Sequence, residues 1–348
     1  MIDYTHTRIE QVSVHKVGNK THEEDLILSK SLLDTSDERV QELLSRFFLA
    51  PFAEPEFFTF TFSNEDFTMN PLYNFAARVF TNDAAFHATT LDIARHLYEL
   101  SVHPQIKSGD LFLAYFTDVN LLNETVDAIG IFKSENKQTF LKLNAAQDNF
   151  SINYEDGINT EKLDKGCLIF NTGKDSGYKV CMVDKSNKSV EAQYWKDNFL
   201  MIKPCSDDYH FTKEFMNITK NFVTKKITED FDVSRADQID LLNRSVDYFK
   251  KNDTFRKEQF ESEVFQDEAV IKSFRNYDET YRENLDIEFG DNFDISAQAV
   301  KKQSKVFKSV LKLDKNFHIY IHGDRNMIEQ GIDQDGRKYY KIFYREES

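Results

Sequence analysis

The sequence predicts an α+β protein: a mainly antiparallel sheet flanked by helices, then a helical segment, then a short C-terminal helix and hairpin. Three observations carry this expectation. Strand-like runs with short connections crowd the first half of the chain. From Ser189 onward the patterning turns helical, with capping residues ahead of apolar stripes. Glycine (11) and proline (5) are too scarce for a turn-dense sandwich, a collagen-like chain or a disordered one. The expected organisation is a sheet domain over 1–188, a helical segment over 189–290, and a basic helix with a β-hairpin over 291–348.

Within the sheet domain, RIEQVSVHKV (Arg8–Val17) alternates imperfectly and reads as a strand. Asp34 to Asp37 offer caps for a helix through ERVQELLSRFF, where Val40, Leu43, Leu44 and Phe47 share one face, and Pro51 and Pro55 end it. FFTFTF (Phe57–Phe62) has strand composition. A helix is expected from about Asp83 to His103, stopped by Pro104. LFLAYF (Leu111–Phe116), TVDAIGIFK (Thr125–Lys133) and QTFLKL (Gln138–Leu143) follow with short connections and read as an antiparallel meander. GCLIFN (Gly166–Asn171) and YKVCMVD (Tyr178–Asp184) read as a further hairpin around the Gly173–Gly177 loop.

In the helical segment, Ser206, Asp207 and Asp208 can cap a helix carrying Phe211, Phe215, Ile218, Phe222 and Val223. Ser234 and Asp237 resemble a capping box for a helix carrying Ile239, Leu242, Val246 and Phe249. Two polar helices are expected near 255–264 and 267–285, and GDNFD (Gly290–Asp294) breaks the pattern. A last helix runs from Ser296 to about Leu313, followed by strands FHIYI (Phe317–Ile321) and YYKIFY (Tyr339–Tyr344).

Composition narrows the functional classes. No apolar run approaches the roughly 20 residues of a membrane span, and the N-terminus lacks the basic start and apolar stretch of a signal peptide. The cytoplasm is the expected compartment. The three cysteines, Cys167, Cys181 and Cys205, form no CxxC pair, which fits a reducing environment without structural zinc. The formal net charge of −15 stands against a chain that coats nucleic acid by bulk charge. The charge is uneven, however. Residues 301–348 hold 11 Lys and Arg against 7 Asp and Glu, while the remainder holds 33 against 52. An acidic body with a basic end points to one localised contact with an anion.

The motifs of common chemistries do not occur. GxxxxGK[ST] and GxGxxG are absent, so a phosphate-loop nucleotide site is not expected, and TGKDSG (Thr172–Gly177) reads as a hairpin turn. GxSxG and HExxH are absent as well. His318 and His322 on one strand would stand roughly 13 Å apart, too far to share a metal. His87 and His96 fall on opposite sides of their helix. Glu288, Asp291 and Asp294, followed by Lys301, resemble a nuclease metal cluster only loosely, because acidic loops are common. No cofactor and no metal are expected.

The strongest local feature is Lys301–Lys315. On a helix, Lys301, Lys305, Lys308, Lys312 and Lys315 would fall within an arc of roughly 80°. Val306, Phe307, Val310, Leu311 and Leu313 would occupy the opposite side. One reading is a phosphate-contacting helix. The other is a solvated amphipathic face, and on pattern alone that is the simpler one. The cations spread over Lys213–Lys257 are diluted by acidic neighbours and read as ordinary surface.

The C-terminal stretch VFKSVLKLDKNFHIYIHGDRNMIEQGIDQDGRKYYKIFY (Val306–Tyr344) resembles the closing segment of the NdpA (YejK) family of bacterial nucleoid-associated proteins, and most closely its Bacteroidetes-type members. DIARHLYELSVHPQIKSGDLFLAYF (Asp92–Phe116) resembles the family's helix-into-strand unit. YWKDNFLMIKP (Tyr194–Pro204), with the FTKEFMNITKNF helix after it, resembles its middle. The likeness extends over essentially the whole chain and contains no catalytic signature. It implies a non-enzymatic nucleoid protein that binds double-stranded DNA, with a topoisomerase or another nucleoid protein as a further partner.

The expected DNA contacts are therefore Lys301, Lys302, Lys305, Lys308, Lys312 and Lys315, with Arg325, Arg337 and Lys338 beside them, in a homodimer. Two rival readings remain. The acidic surface could serve an adaptor for a topoisomerase or a defence complex, which a partner pulldown surviving nuclease treatment would favour. The 288–301 carboxylates could serve a metal-dependent nuclease, which magnesium-dependent DNA cleavage would favour.

Overall fold

The computed structural model describes residues 2–122, 124–146, 149–185, 194–285, 290–307, 310–314, 316–321 and 327–346. The chain is α+β and divides into two compact units, 1–205 and 206–348. The division falls at Cys205–Ser206 rather than at 188, because Tyr194–Leu200 and the strand Ile202–Pro204 complete the core and sheet of the first unit. No further division falls at 290, since Asn292–Asp294 pairs with Thr254–Arg256 inside the second unit.

The first unit contains strands β1 (Ile2–Asp3), β2 (Arg8–Val17), β3 (Leu26–Ile27), β4 (Phe57–Phe60), β5 (Gly109–Leu121) and β6 (Glu124–Ser134). After these come β7 (Gln138–Ala146), β8 (Asn149–Gly157), β9 (Lys165–Phe170), β10 (Lys179–Asp184) and β11 (Ile202–Pro204). Nine of them form one antiparallel sheet in the order β11-β4-β10-β9-β6-β5-β2-β3, with β1 also on β5. The remaining two, β7 and β8, pair only with each other among the described residues. The third strand of the expected meander thus leaves the sheet, and β9 takes the place beside β6. The physical reason is burial. GCLIF can fill a position covered on both faces, whereas QTFLKL carries Gln138, Thr139 and Lys142 among its apolar residues.

Side chains alternate between two cores along the central strands. Leu111, Leu113 and Tyr115 of β5 join Ile129 and Ile131 of β6 under one set of helices, while Phe112, Ala114, Phe116, Ala128 and Phe132 face the other way. Helices α2 (Pro71–Thr81) and α3 (Phe86–Leu100), with the π-helical turn Tyr194–Leu200, cover the first face. Helix α1 (Glu38–Leu49) covers the second through Phe47, Phe48 and Leu49, capped by Asp37, which accepts from the Arg39 and Val40 amides. Phe48 stacks on Phe132 with ring centres 4.3 Å apart. Gly130 makes this possible, because a Cβ there would stand 2.3 Å from the Phe132 ring.

Helix α3 is shorter than the expected 83–103 span, and α2 precedes it with Asn70 as cap and Pro71 in its first turn. The hairpin β9–β10 turns through Gly173 and Gly177 at φ 68° and 89°. A Cβ on Gly177 would also meet Thr59 Oγ1 at 2.6 Å. Cys167 and Cys181 lie on these adjacent strands but point into opposite cores. Burial raises both thiol pKa values.

Two buried polar groups interrupt the apolar interior. At the end of β6, Lys133 lies in register beside Lys165 of β9. Glu135 bridges them, with its two carboxylate oxygens each 3.0 Å from one ammonium, and Asp184 stands 3.8 Å from Lys165. Lys133 also donates to the Lys107 carbonyl and the Tyr194 hydroxyl. Desolvation lowers the Lys133 pKa.

Between β2 and α3, His15 accepts from the Ser29 amide at Nδ1 (3.1 Å) and meets Thr90 Oγ1 at Nε2 (3.0 Å). The Thr90 hydroxyl donates to the His87 carbonyl, so Nε2 carries the proton and the ring is neutral. Burial, then the positive field of His87 and Arg95, lowers its pKa to about 4.

The second unit holds α4 (Asp208–Asn221), a π-helical turn Phe222–Lys226, and helices α5 (Ile227–Asp230), α6 (Arg235–Lys251), α7 (Lys257–Val264), α8 (Glu268–Leu285) and α9 (Ala297–Ser304). Its strands are β12 (Thr254–Arg256), β13 (Asn292–Asp294), β14 (Val310–Leu313), β15 (Phe317–Tyr320), β16 (Ile328–Ile332) and β17 (Lys338–Ile342). Asp207 caps α4, and Ser234 with Asp237 forms the reciprocal capping box of α6. The core is aromatic: Phe255 stacks between Phe249 and Phe293, with Phe215 4.2 Å away. The buried Asp278 accepts from Lys257 (2.7 Å) and Arg282 (2.6 Å).

The His15 pocket yields a pH prediction. Its folded pKa lies below the unfolded value of 6.5, so the unfolded chain takes up a proton first as pH falls. The stability it contributes is present above pH 6.5 and lost between pH 6.5 and about 4. In thermal melts at pH 7.5 and pH 5, His15→Gln should lose less of its midpoint between the two conditions than the parent does. Equal losses would show that another group drives the acid response.

Candidate nucleic-acid interface

The basic C-terminal residues are carried by α9 and two hairpins, not by one long helix. Ser296 caps α9 by accepting from the Ala299 amide, and its own amide donates to Thr212 Oγ1. Ala299 and Val300 bury against the rest of the unit. The helix ends at Ser304 with Lys305 as its C-cap, although the lysine spacing predicts it to Leu313. Val310, Leu311 and Leu313 instead enter β14, whose register with β15 sets Leu311 opposite Ile319 and Lys312 opposite His318. Leu311 packs with Ile239, Ile321 and Ile328, and Asn243 donates to the Ile321 carbonyl at 3.0 Å. A cross-strand partner and a docking site on α6 override the helical spacing of VFKSVLKL.

The expected lysine row is therefore broken. Lys301, Lys302 and Lys305 lie at the end of α9, with Lys302 over the Tyr209 ring at 5.6 Å. Lys312 stands on the exposed face of the β14–β15 hairpin. Lys308, Lys315 and Arg325 lie outside the described residues, as does His322. Lys338 begins β17, opposite Ile332.

Arg337 sits in the turn of the second hairpin, where Gly336 adopts φ 81°. Its guanidinium pairs with Asp333 at 2.8 Å and Asp335 at 2.9 Å. Asp333 also accepts from the Asp335 and Arg337 amides, so this acid both builds the turn and neutralises its cation. Among the described residues, no salt bridge reaches Lys305, Lys312 or Lys338, and all three are exposed. Exposed aromatic rings accompany them: Phe317, Tyr320 and Tyr344. Sequence reasoning did not single these rings out, although FHIYI and YYKIFY place them close to the lysines in the chain.

Several cations of the helical segment are locally matched. Lys226 pairs with Glu229 and Asp230, and Arg244 with Asp240. A cleft of about 650 Å³ is lined by Arg256, Lys257 and Arg275 but equally by Glu258, Glu261 and Asp291. Glu261 takes Arg275 in a bidentate pair, and Lys257 lies 3.7 Å from Asp291. That balance leaves no excess positive field for a phosphate. Of the carboxylates weighed for a nuclease, Glu288 lies outside the described residues, Asp291 faces Lys257, and Asp294 accepts from Thr254. Among the described residues, no group of three His, Cys, Asp or Glu could hold a metal ion. Among the described residues, no helix is long and apolar enough to cross a membrane.

Asp333→Asn separates the two duties of that acid. The amide oxygen still accepts from the turn amides, while Arg337 loses its ion pair. The thermal midpoint should change little, and elution from a heparin column should move to higher salt. Unchanged elution would show that Arg337 does not meet polyanions.

No curated protein matches the chain. The sequence profile described as nucleoid-associated protein YejK matches residues 13–340, nearly the whole length, and the chain belongs to that family of nucleoid-associated proteins.

Proposed function

We propose that this protein binds the backbone of double-stranded DNA through the cations of its C-terminal part and does no chemistry of its own. The contacts are Lys301, Lys302, Lys305, Lys312 and Lys338, with Arg337 once its pairing to Asp333 gives way, and Lys308, Lys315 and Arg325 from the same stretch. One observation carries the reading. The net-positive C-terminal stretch of an acidic chain, 301–348, presents Lys305, Lys312 and Lys338 exposed and without ion pairs among the described residues. Lysines on a helix end and on two hairpin surfaces suit phosphates, which are reached by flexible point charges and carry no base identity. The acidic remainder keeps the rest of the molecule off the polyanion, so attachment is local.

The net charge of −15 favours one second reading, an adaptor whose acidic surface meets a basic protein of the nucleoid such as a topoisomerase.

The experiment is a salt series of DNA-binding isotherms on the full chain. Each phosphate neutralised contributes about 0.9 to the slope of log affinity against log salt. Changing Lys305, Lys312 and Lys338 together to Gln should flatten that slope by about 2 to 3 units and weaken binding to every DNA sequence alike. The thermal midpoint should be nearly unchanged, since the three side chains are exposed. Unchanged slope and affinity would remove the DNA role from these residues. A protein that binds no DNA at low salt but retains a basic partner after nuclease treatment would favour the adaptor.

A further inference from the structure

The β7–β8 hairpin leaves the sheet between β6 and β9 as a separate two-stranded ribbon. Its register sets Leu141 opposite Tyr154, Leu143 opposite Ile152 and Ala145 opposite Phe150. Since side chains alternate, these six residues share one face. None is charged, and the five larger ones are between 61% and 77% exposed. On the opposite face Lys142 lies 3.0 Å from Glu155, and at the base of the apolar face Thr139 donates to its cross-strand partner Asp156. The base of the ribbon is clamped by Asp164, which accepts from the Glu135 and Asn136 amides and the Asn136 side chain.

An isolated two-stranded ribbon is at best marginally stable in water, and a run of three apolar cross-strand pairs on it needs a cover. We infer that this face docks on the same face of a second copy of the chain, joining two protomers around a two-fold axis.

Area and charge both select that occupant. Five large side chains at these exposures present on the order of 600 Å² per copy, so a face-to-face pair removes roughly 1,200 Å², the lower end of stable interfaces. Each copy carries a net charge of −15, so two copies meet with least repulsion where charge is sparse, and the three outer pairs of this face carry none, Asp156 standing at its base. DNA and basic partners both require charge that the six residues lack. A self-complementary patch contacting its own copy is the isologous arrangement of two-fold dimers. The contact stands apart from the DNA reading and is tested without DNA.

Sedimentation equilibrium over a concentration series should give twice the 40.8 kDa chain mass for the parent protein. Two variants should each sediment as monomers with parental far-UV circular dichroism: Leu143→Lys with Ile152→Lys, and Leu143→Glu with Ile152→Glu. An equimolar mixture of the two should recover the dimer, because opposite charges then face each other across the axis. Hydrogen exchange of the parent protein needs no substitution. Protection of the 138–146 and 149–157 amides should rise with protein concentration while that of β5 and β6 does not. A parent that is monomeric throughout, variants that remain dimeric, a mixture that stays monomeric, or ribbon protection independent of concentration would each overturn the proposal. Capture by lipid vesicles with a monomeric parent would overturn it in favour of a membrane surface.

Discussion

Glu135 holds two ammonium groups that the sheet forces side by side. The register of β6 and β9 sets Lys133 beside Lys165 in an interior from which water is excluded. Two like charges there are tolerable only with an acid between them, and Glu135 reaches both at 3.0 Å. Removing one partner from such a buried group typically costs about 3–5 kcal/mol, because the remaining charge is stranded. The same residue is the first beyond β6, and its amide is held by Asp164 just before β9. One ion cluster therefore locks the pairing of the two central strands and sets where the ribbon departs. The Tyr194 hydroxyl and ring beside the lysines tie the π-helical turn to the same point.

What could be read from the sequence follows from how local its cause is. Caps were legible because a cap is a contact between residues three apart: Asp37, Asp207 and the Ser234–Asp237 pair all act as their spacing indicates. The apolar runs LFLAYF, AIGIF and CLIF were legible as strands, since residues covered on both faces must all be apolar. Pairing was not, because it is decided between residues far apart. QTFLKL has strand character, but nothing within it tells that NFSINYEDG is its partner. Asn70 and Pro71 are a local signal for the start of α2, a capping side chain followed by a proline in the first turn.

The C-terminal lysines show the same limit at the candidate site. A spacing of three and four residues is a statement about a helix only if the segment is helical throughout. Here the helix stops at Ser304 because Leu311 finds Ile239, Ile321 and Ile328, contacts that a pattern of lysines cannot reveal. Charge content is less sensitive to this, since Lys301, Lys305, Lys312 and Lys338 are exposed on the different elements that carry them. Their geometry does not: the surface is a helix end beside two ribbons, and Arg337 is held by acids two and four residues away. The imbalance between the basic end and the acidic body was the more durable signal, being independent of secondary structure.

Cys167 and Cys181 lie on neighbouring strands yet face opposite cores, with thiols that burial keeps protonated. They cannot join to each other without dismantling β9 and β10. A soluble alkylating reagent reaches them only when the sheet opens, whereas Cys205 is half-buried at the end of β11. The two sulfur atoms thus act as clocks for opening of the first unit, running at the rate at which its innermost strands part.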